Sequence, residues 1–162
     1  MAAARWLDEE EQHTWRAFLG ATQLLVDELD RELQRDAGIP HAYYEILVSL
    51  SESPDRAMRM SELAVLTRSS RSRLSHAVAR LEELGWVVRH SCATDGRGQI
   101  ARLTDRGFAA LEEAAPAHVE AVRTYLFDRL TPEQVTQLRA ISEAVLRPLA
   151  EQRGLSAGRL KV

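Results

Sequence analysis

Apolar residues recur at three- and four-residue steps from about Asp8 to Arg35. Trp15, Phe18, Leu19, Val26, Leu29 and Leu33, with Thr22 among them, form one stripe of a long amphipathic helix. That stripe is long for a small domain, so part of it is expected to need a second chain. Gly38 ends the helix, and Pro40 opens the next one as its first-turn residue. Tyr43, Ile46, Leu47 and Leu50 mark this second helix, His41 to Leu50, and Ser51 to Asp55 reads as a loop. Ser61 is the expected N-cap of a short helix, Glu62 to Leu66, and Ser70 that of a longer one, Arg71 to Leu84. Gly85 stands where a left-handed C-terminal cap belongs.

After Gly85 the period changes. Trp86–His90 and Gln99–Leu103 read as two short strands, joined through the glycine-rich turn Asp95-Gly-Arg-Gly98. Thr104 caps a further long helix carrying Phe108, Leu111, Ala115, Val119, Val122 and Leu126, which Pro116 should kink. Thr131-Pro-Glu-Gln134 is a capping box that opens the last helix, with Val135, Leu138, Ile141, Val145 and Leu149 apolar. The tail after Arg153 is expected to fray. The fold class is therefore mainly α: a helix-turn-helix followed by a two-stranded wing, flanked by N- and C-terminal helices. The expected divisions are 8–36, 40–106 and 107–152.

Composition changes this picture little, but charge changes it more. The chain of 162 residues has a net charge of −3, a weak argument against a nucleic-acid partner. The window from Arg56 to Arg106, however, is +5, and the remainder is −8. A basic middle between acidic ends suits a DNA reader with acidic accessory helices, although clustering on solvated faces would give the same count. Cys92 is the only cysteine, so no internal disulfide or cysteine-rich zinc site is available. The N-terminus has no signal-peptide pattern and no apolar run approaches a membrane span, so a cytoplasmic protein is expected. The five histidines show no metal-ligand spacing, and no nucleophile-elbow, P-loop or dinucleotide motif occurs. Neither a metal nor a cofactor is expected.

Candidate chemistry centres on Arg71–Leu84. Leu74, Ala77, Val78, Leu81 and Leu84 share one side; Ser72, Ser75, His76, Ala79 and Arg80 share the other, with Arg71 and Arg73 at its margins. A small, polar, basic face lets a helix backbone approach the major groove and address base edges and phosphates. An ordinary solvated helix is the alternative. Its first turn, however, is Arg-Ser-Arg, which opposes the helix dipole; nearby phosphates would resolve that conflict.

The runs Met60-Ser-Glu-Leu-Ala64, Ser70-Arg-Ser-Arg-Leu-Ser-His76, Arg80-Leu-Glu-Glu-Leu-Gly-Trp-Val-Val-Arg89, Asp95-Gly-Arg-Gly98 and Leu103-Thr-Asp-Arg-Gly107 resemble the multiple-antibiotic-resistance regulator (MarR) family. The resemblance spans roughly Trp15 to Leu149. It implies a triangular homodimer whose first and last helices interlock. Arg71–Leu84 would lie in the major groove of duplex DNA and Arg97 in the adjacent minor groove. The implied function is a regulator, most often a repressor acting at a palindromic operator, released by a phenolic or aromatic ligand or by cysteine oxidation. The candidate DNA contacts are Ser70, Arg71, Ser72, Arg73, Ser75, His76 and Arg80 on the helix, with Arg89, Asp95 and Arg97 on the hairpin. The candidate ligand contacts are Trp15, His41, Tyr44 and His118, with Arg16 to hold the carboxylate of a small aromatic acid. The reactive cysteine that oxidation-sensing members carry near the start of the first helix is missing here, and Cys92 reads as an ordinary exposed thiol. A winged-helix adaptor that binds protein rather than DNA is the rival reading. An enzyme using Cys92 would need a base and a cleft that a hairpin does not offer, so no catalytic residue is expected.

Overall fold

The computed structural model describes residues 4–91 and 98–152. Its order is α1 (Glu9–Ala37), α2 (His41–Ser51), β1 (Ala57–Arg59), α3 (Met60–Leu66), α4 (Arg71–Glu83), β2 (Val87–Ser91), β3 (Gln99–Leu103), α5 (Asp105–Tyr125) and α6 (Pro132–Gln152). Cys92, Asp95 and Arg97, together with the tail from Arg153, lie outside the described residues.

The helix ends follow the expected chemistry, with two corrections. Gly38 and Gly85 have φ of 66° and 72° and carry their helices into left-handed caps. At the second, Gly85 N–H donates to Glu82 O and Trp86 N–H to Leu81 O, which pairs the last carbonyls of α4. Ser70 Oγ accepts from Arg73 N–H at 3.2 Å and Thr104 Oγ1 from Gly107 N–H at 3.0 Å. Thr131 and Gln134 form the reciprocal box. Pro40, however, is the N-cap of α2 and not its first helical residue. It has no side-chain acceptor, and Asp30 of α1 takes the His41 N–H instead, at 2.7 Å. α3 starts earlier than expected: its N-cap is Arg59, so Ser61 is already helical. α5 runs through Pro116 as one helix.

The sheet has three strands, in the order β1-β3-β2, all antiparallel. The expected wing strands are β2 and β3. The third, β1, pairs Ala57 with Arg102 and Arg59 with Ile100. The chain enters it through a tight turn at Pro54–Arg56, where Asp55 and Arg56 both have φ of 53°. Three contacts hold this turn. Arg102 donates to Asp55 O at 3.0 Å, Arg56 donates to Asp105 at 3.2 Å, and the Arg56 guanidinium lies 3.8 Å from the Phe108 ring centroid.

One core joins the sheet to the helices. It contains Leu33 of α1, Ile39 of the α1–α2 connection, Ile46, Leu47 and Leu50 of α2, Leu63 of α3, Leu74, Val78 and Leu81 of α4, Val87, Ala101 and Leu103 of the sheet, and Leu111 and Ala114 of α5. α4 is thus seated on its apolar side. α1 is not buried ahead of Leu29: Trp15, Phe18 and Val26 are each at least half exposed. α6 barely touches the rest of its own chain, and Ala150 is its one buried residue, whereas Ile141, Val145 and Leu149 stand open to solvent. Among the described residues, no helix is long and apolar enough to cross a membrane.

Candidate nucleic-acid interface

Seating Leu74, Val78 and Leu81 in the core turns Arg71, Ser72, Arg73, Ser75, His76 and Arg80 outward, and all six are exposed, as is the cap Ser70. The face expected from the sequence is therefore intact. Two residues depart from the expected division: Ala79, expected on the outward side, is half-buried, and Leu84, at the C-cap, is exposed.

Ion pairing divides the basic residues of this region into two groups. Arg80 pairs with Glu83 one turn on. Arg68 reaches Glu45 at 3.2 Å. Arg89 is clamped by Glu82, which accepts its backbone N–H at 2.9 Å and its Nε at 2.7 Å. This clamp fastens β2 to α4, so Arg89 has a structural partner. Arg71 and Arg73 make no ion pair and no side-chain hydrogen bond among the described residues. They stand at the positive end of the α4 dipole with no acid of the first turn beside them, which is the electrostatic setting of an anion-binding helix end.

A second grouping lies between α2 and α5. The His118 ring is 4.4 Å from Tyr44 and 5.6 Å from His41, centroid to centroid. Burial, and then the nearby His41, hold the His118 pKa below its ordinary value; burial raises that of Tyr44. His118 Nδ1 is buried and has no hydrogen-bond partner among the described residues. Of the other expected ligand contacts, Trp15 has Phe18 as its ring neighbour at 6.5 Å and Arg16 donates to Gln12 at 3.3 Å. His118 also lines a cleft of about 200 Å³ bounded by α1, α5 and Trp86, whose wall includes Glu32, Asp36 and Glu113. None of these last four residues was singled out from the sequence, because residues so far apart along the chain share no spacing that marks a common wall.

Residues 37–98, from the end of α1 through the helix-turn-helix to the hairpin, match the MarR family model. Sco3205, a MarR family transcriptional regulator from Streptomyces coelicolor solved in complex with DNA, is 56% identical to this chain with a TM-score of 0.86. The match covers 91% of this chain and 92% of that one. The chain belongs to the MarR family. AbsC, another MarR family regulator from Streptomyces coelicolor, is 43% identical with a TM-score of 0.82, over 93% of this chain and 99% of that one. The HTH-type transcriptional regulator PecS of Dickeya dadantii (strain 3937) is 28% identical over 136 residues, 83% of this chain and 81% of PecS. The MarR family and these relatives are transcriptional regulators, not enzymes, in accord with the absence of catalytic motifs from the sequence.

Proposed function

We propose that this MarR-family regulator binds duplex DNA as a homodimer, reading a palindromic operator through α4, and that it represses transcription until a small ligand releases it. The observation that carries this reading is the outward face of α4. Two arginines in its first turn, with no ion pair among the described residues, sit beside Ser72, Ser75 and His76 on a helix whose opposite side is buried in the core. Arginines at that end suit phosphates, and the short polar residues suit base edges. The DNA complex of the 56% identical Sco3205 supports the same reading.

Residues 40–106 would then be the reading head, with 8–36 and 107–152 supplying the dimer. Two-fold symmetry would place the half-sites about one helical turn apart, roughly 34 Å. A ligand acts only if it binds the released state better than the DNA-competent one. The grouping of His41, Tyr44 and His118, beside elements that carry α4, supports a site there.

The test is DNA selected from the source genome, titrated at several salt concentrations against wild type and the double variant Arg71→Ala/Arg73→Ala. Wild-type affinity should fall steeply with salt. The variant should bind more weakly, with a log–log salt slope shallower by about one per arginine. Equal slopes and equal affinities would remove α4 from the interface.

A further inference from the structure

We infer that Glu82 is a positioning residue for DNA reading: it acts through Arg89 to hold the β2–β3 hairpin at a fixed angle to α4. This deepens the DNA-binding reading above and rests on it. Strand alternation decides where Arg89 points. Val87 and Arg89 share one face of β2, opposite Leu103 and Ala101 of β3, and Val87, Leu103 and Ala101 are all buried. Val88 and His90 lie on the other face and are exposed. The Arg89 side chain therefore leaves the strand on the core side and is only a quarter exposed. Glu82 meets it from the last turn of α4. Its Oε1 accepts the Arg89 backbone N–H at 2.9 Å, while Oε2 accepts Nε at 2.7 Å and lies 2.5 Å from Nη2. β2 is an outer strand of the sheet, so the carboxylate takes an N–H that has no neighbouring strand to bond.

Forked, charge-assisted contacts fix orientation as well as distance. The base of the hairpin is held separately, by the pairing of Val87 with Leu103 and by Thr104 N–H donating to Trp86 O. The Glu82 clamp grips β2 two residues farther along the strand, where it resists rotation of the hairpin against α4. Such a brace matters most where the fit to DNA is specific. Contacts to base edges demand that every reading element be held in place by its supports, whereas random duplex is bound through charge without a fixed register. Glu82 should therefore govern discrimination and not affinity for DNA at large. Charge alone predicts the opposite sign. Glu82 is an anion on a helix that faces a polyanion, so its neutralisation should tighten binding to any duplex. Arg89, one of the hairpin residues expected from the sequence to touch DNA, becomes in this account the arm through which α4 steers the hairpin.

The test titrates operator DNA selected from the source genome, and a random duplex of equal length, with wild type, Glu82→Gln, Arg89→Gln and the double variant. Glu82→Gln should lower the ratio of operator to random-duplex affinity about tenfold, the scale of one lost charge-assisted hydrogen bond, while affinity for random duplex holds or rises. The double variant should lose little beyond Arg89→Gln alone, because Glu82 acts through that side chain. Arg89→Lys keeps the charge without the fork and should lose part of the ratio. An unchanged ratio in Glu82→Gln would overturn the inference. So would additive losses in the double variant, or equal losses on both duplexes, which mark a role in the fold alone. A random-duplex salt slope shallower by about one in Arg89→Gln would also overturn it, since that marks a phosphate contact. Wild type without operator preference would remove the regulator reading and this inference with it. The other failures leave wild-type discrimination intact, so the two cases are distinguishable.

Discussion

Gly107 sets how closely α5 approaches the turn between α4 and β2. A β-carbon there would lie 2.2 Å from the Trp86 carbonyl oxygen and 2.8 Å from Leu103 Cδ1. Around it, Thr104 N–H donates to Trp86 O at 2.9 Å, and the Thr104 hydroxyl reaches Gly85 O at 2.8 Å. Helix propensity alone would favour alanine over glycine by roughly 1 kcal/mol. The contact with a backbone carbonyl reverses that sign, because a carbonyl inside a hydrogen-bonded turn cannot rotate away as a side chain would. Gly107→Ala should therefore destabilise the fold by about 1–3 kcal/mol or more, read as a lower denaturant midpoint. A midpoint at or above wild type would mean that the turn yields. The sequence offered Leu103-Thr-x-x-Gly only as a family likeness, since the reason for glycine is a carbonyl contributed twenty-one positions earlier.

At the scale of elements, α4 depends on its cap more than an ordinary helix does. Its first turn holds Arg71 and Arg73 and no acid, so the dipole works against the local charge. Ser70 Oγ is the side-chain acceptor that satisfies an end N–H. Ser70→Ala should lower stability by roughly 0.5–2 kcal/mol, and amide exchange of the first turn of α4 should quicken more than that of its last. Equal protection throughout α4 in both proteins would show the cap to be dispensable. The long helices, their caps and the two wing strands were legible in the sequence because each carries many periodic positions and a terminal signal. β1 was not, for a physical reason. Ala57, Met58 and Arg59 are three half-buried residues without β-branching, and the chain passes from them directly into α3. Their strand exists only because β3 presents a free edge. The same limit applied to the sites. The outward face of α4 could be read from one helix, whereas the meeting of His118 with Tyr44, or of Trp86 with Glu113, needs the folded chain.

For the whole molecule, many of the exposed apolar positions gather on α1 ahead of Leu29 and on α6, towards the two ends of the chain. Trp15, Phe18 and Val26 are uncovered on one, and Ile141, Val145 and Leu149 on the other. Exposed side chains of this size repeated along two helices are the kind of surface that marks a protein–protein contact, and a second copy of the same chain covers them in the proposed dimer. Sedimentation at micromolar concentration should give twice the 18.2 kDa chain mass. A single species at the chain mass would overturn the dimer and, with it, the paired half-sites.

The isolation of α6 from its own chain carries a further consequence. A helix in a protein draws most of its stability from packing along its apolar face, and much of the apolar face of the 21-residue α6, at Ile141, Val145 and Leu149, is exposed in the single chain. In the proposed dimer, then, coil-to-helix ordering at this end and subunit association are one equilibrium, governed by mass action. The number of copies in the cell would then set not only how much operator is occupied but also how much of each chain is folded.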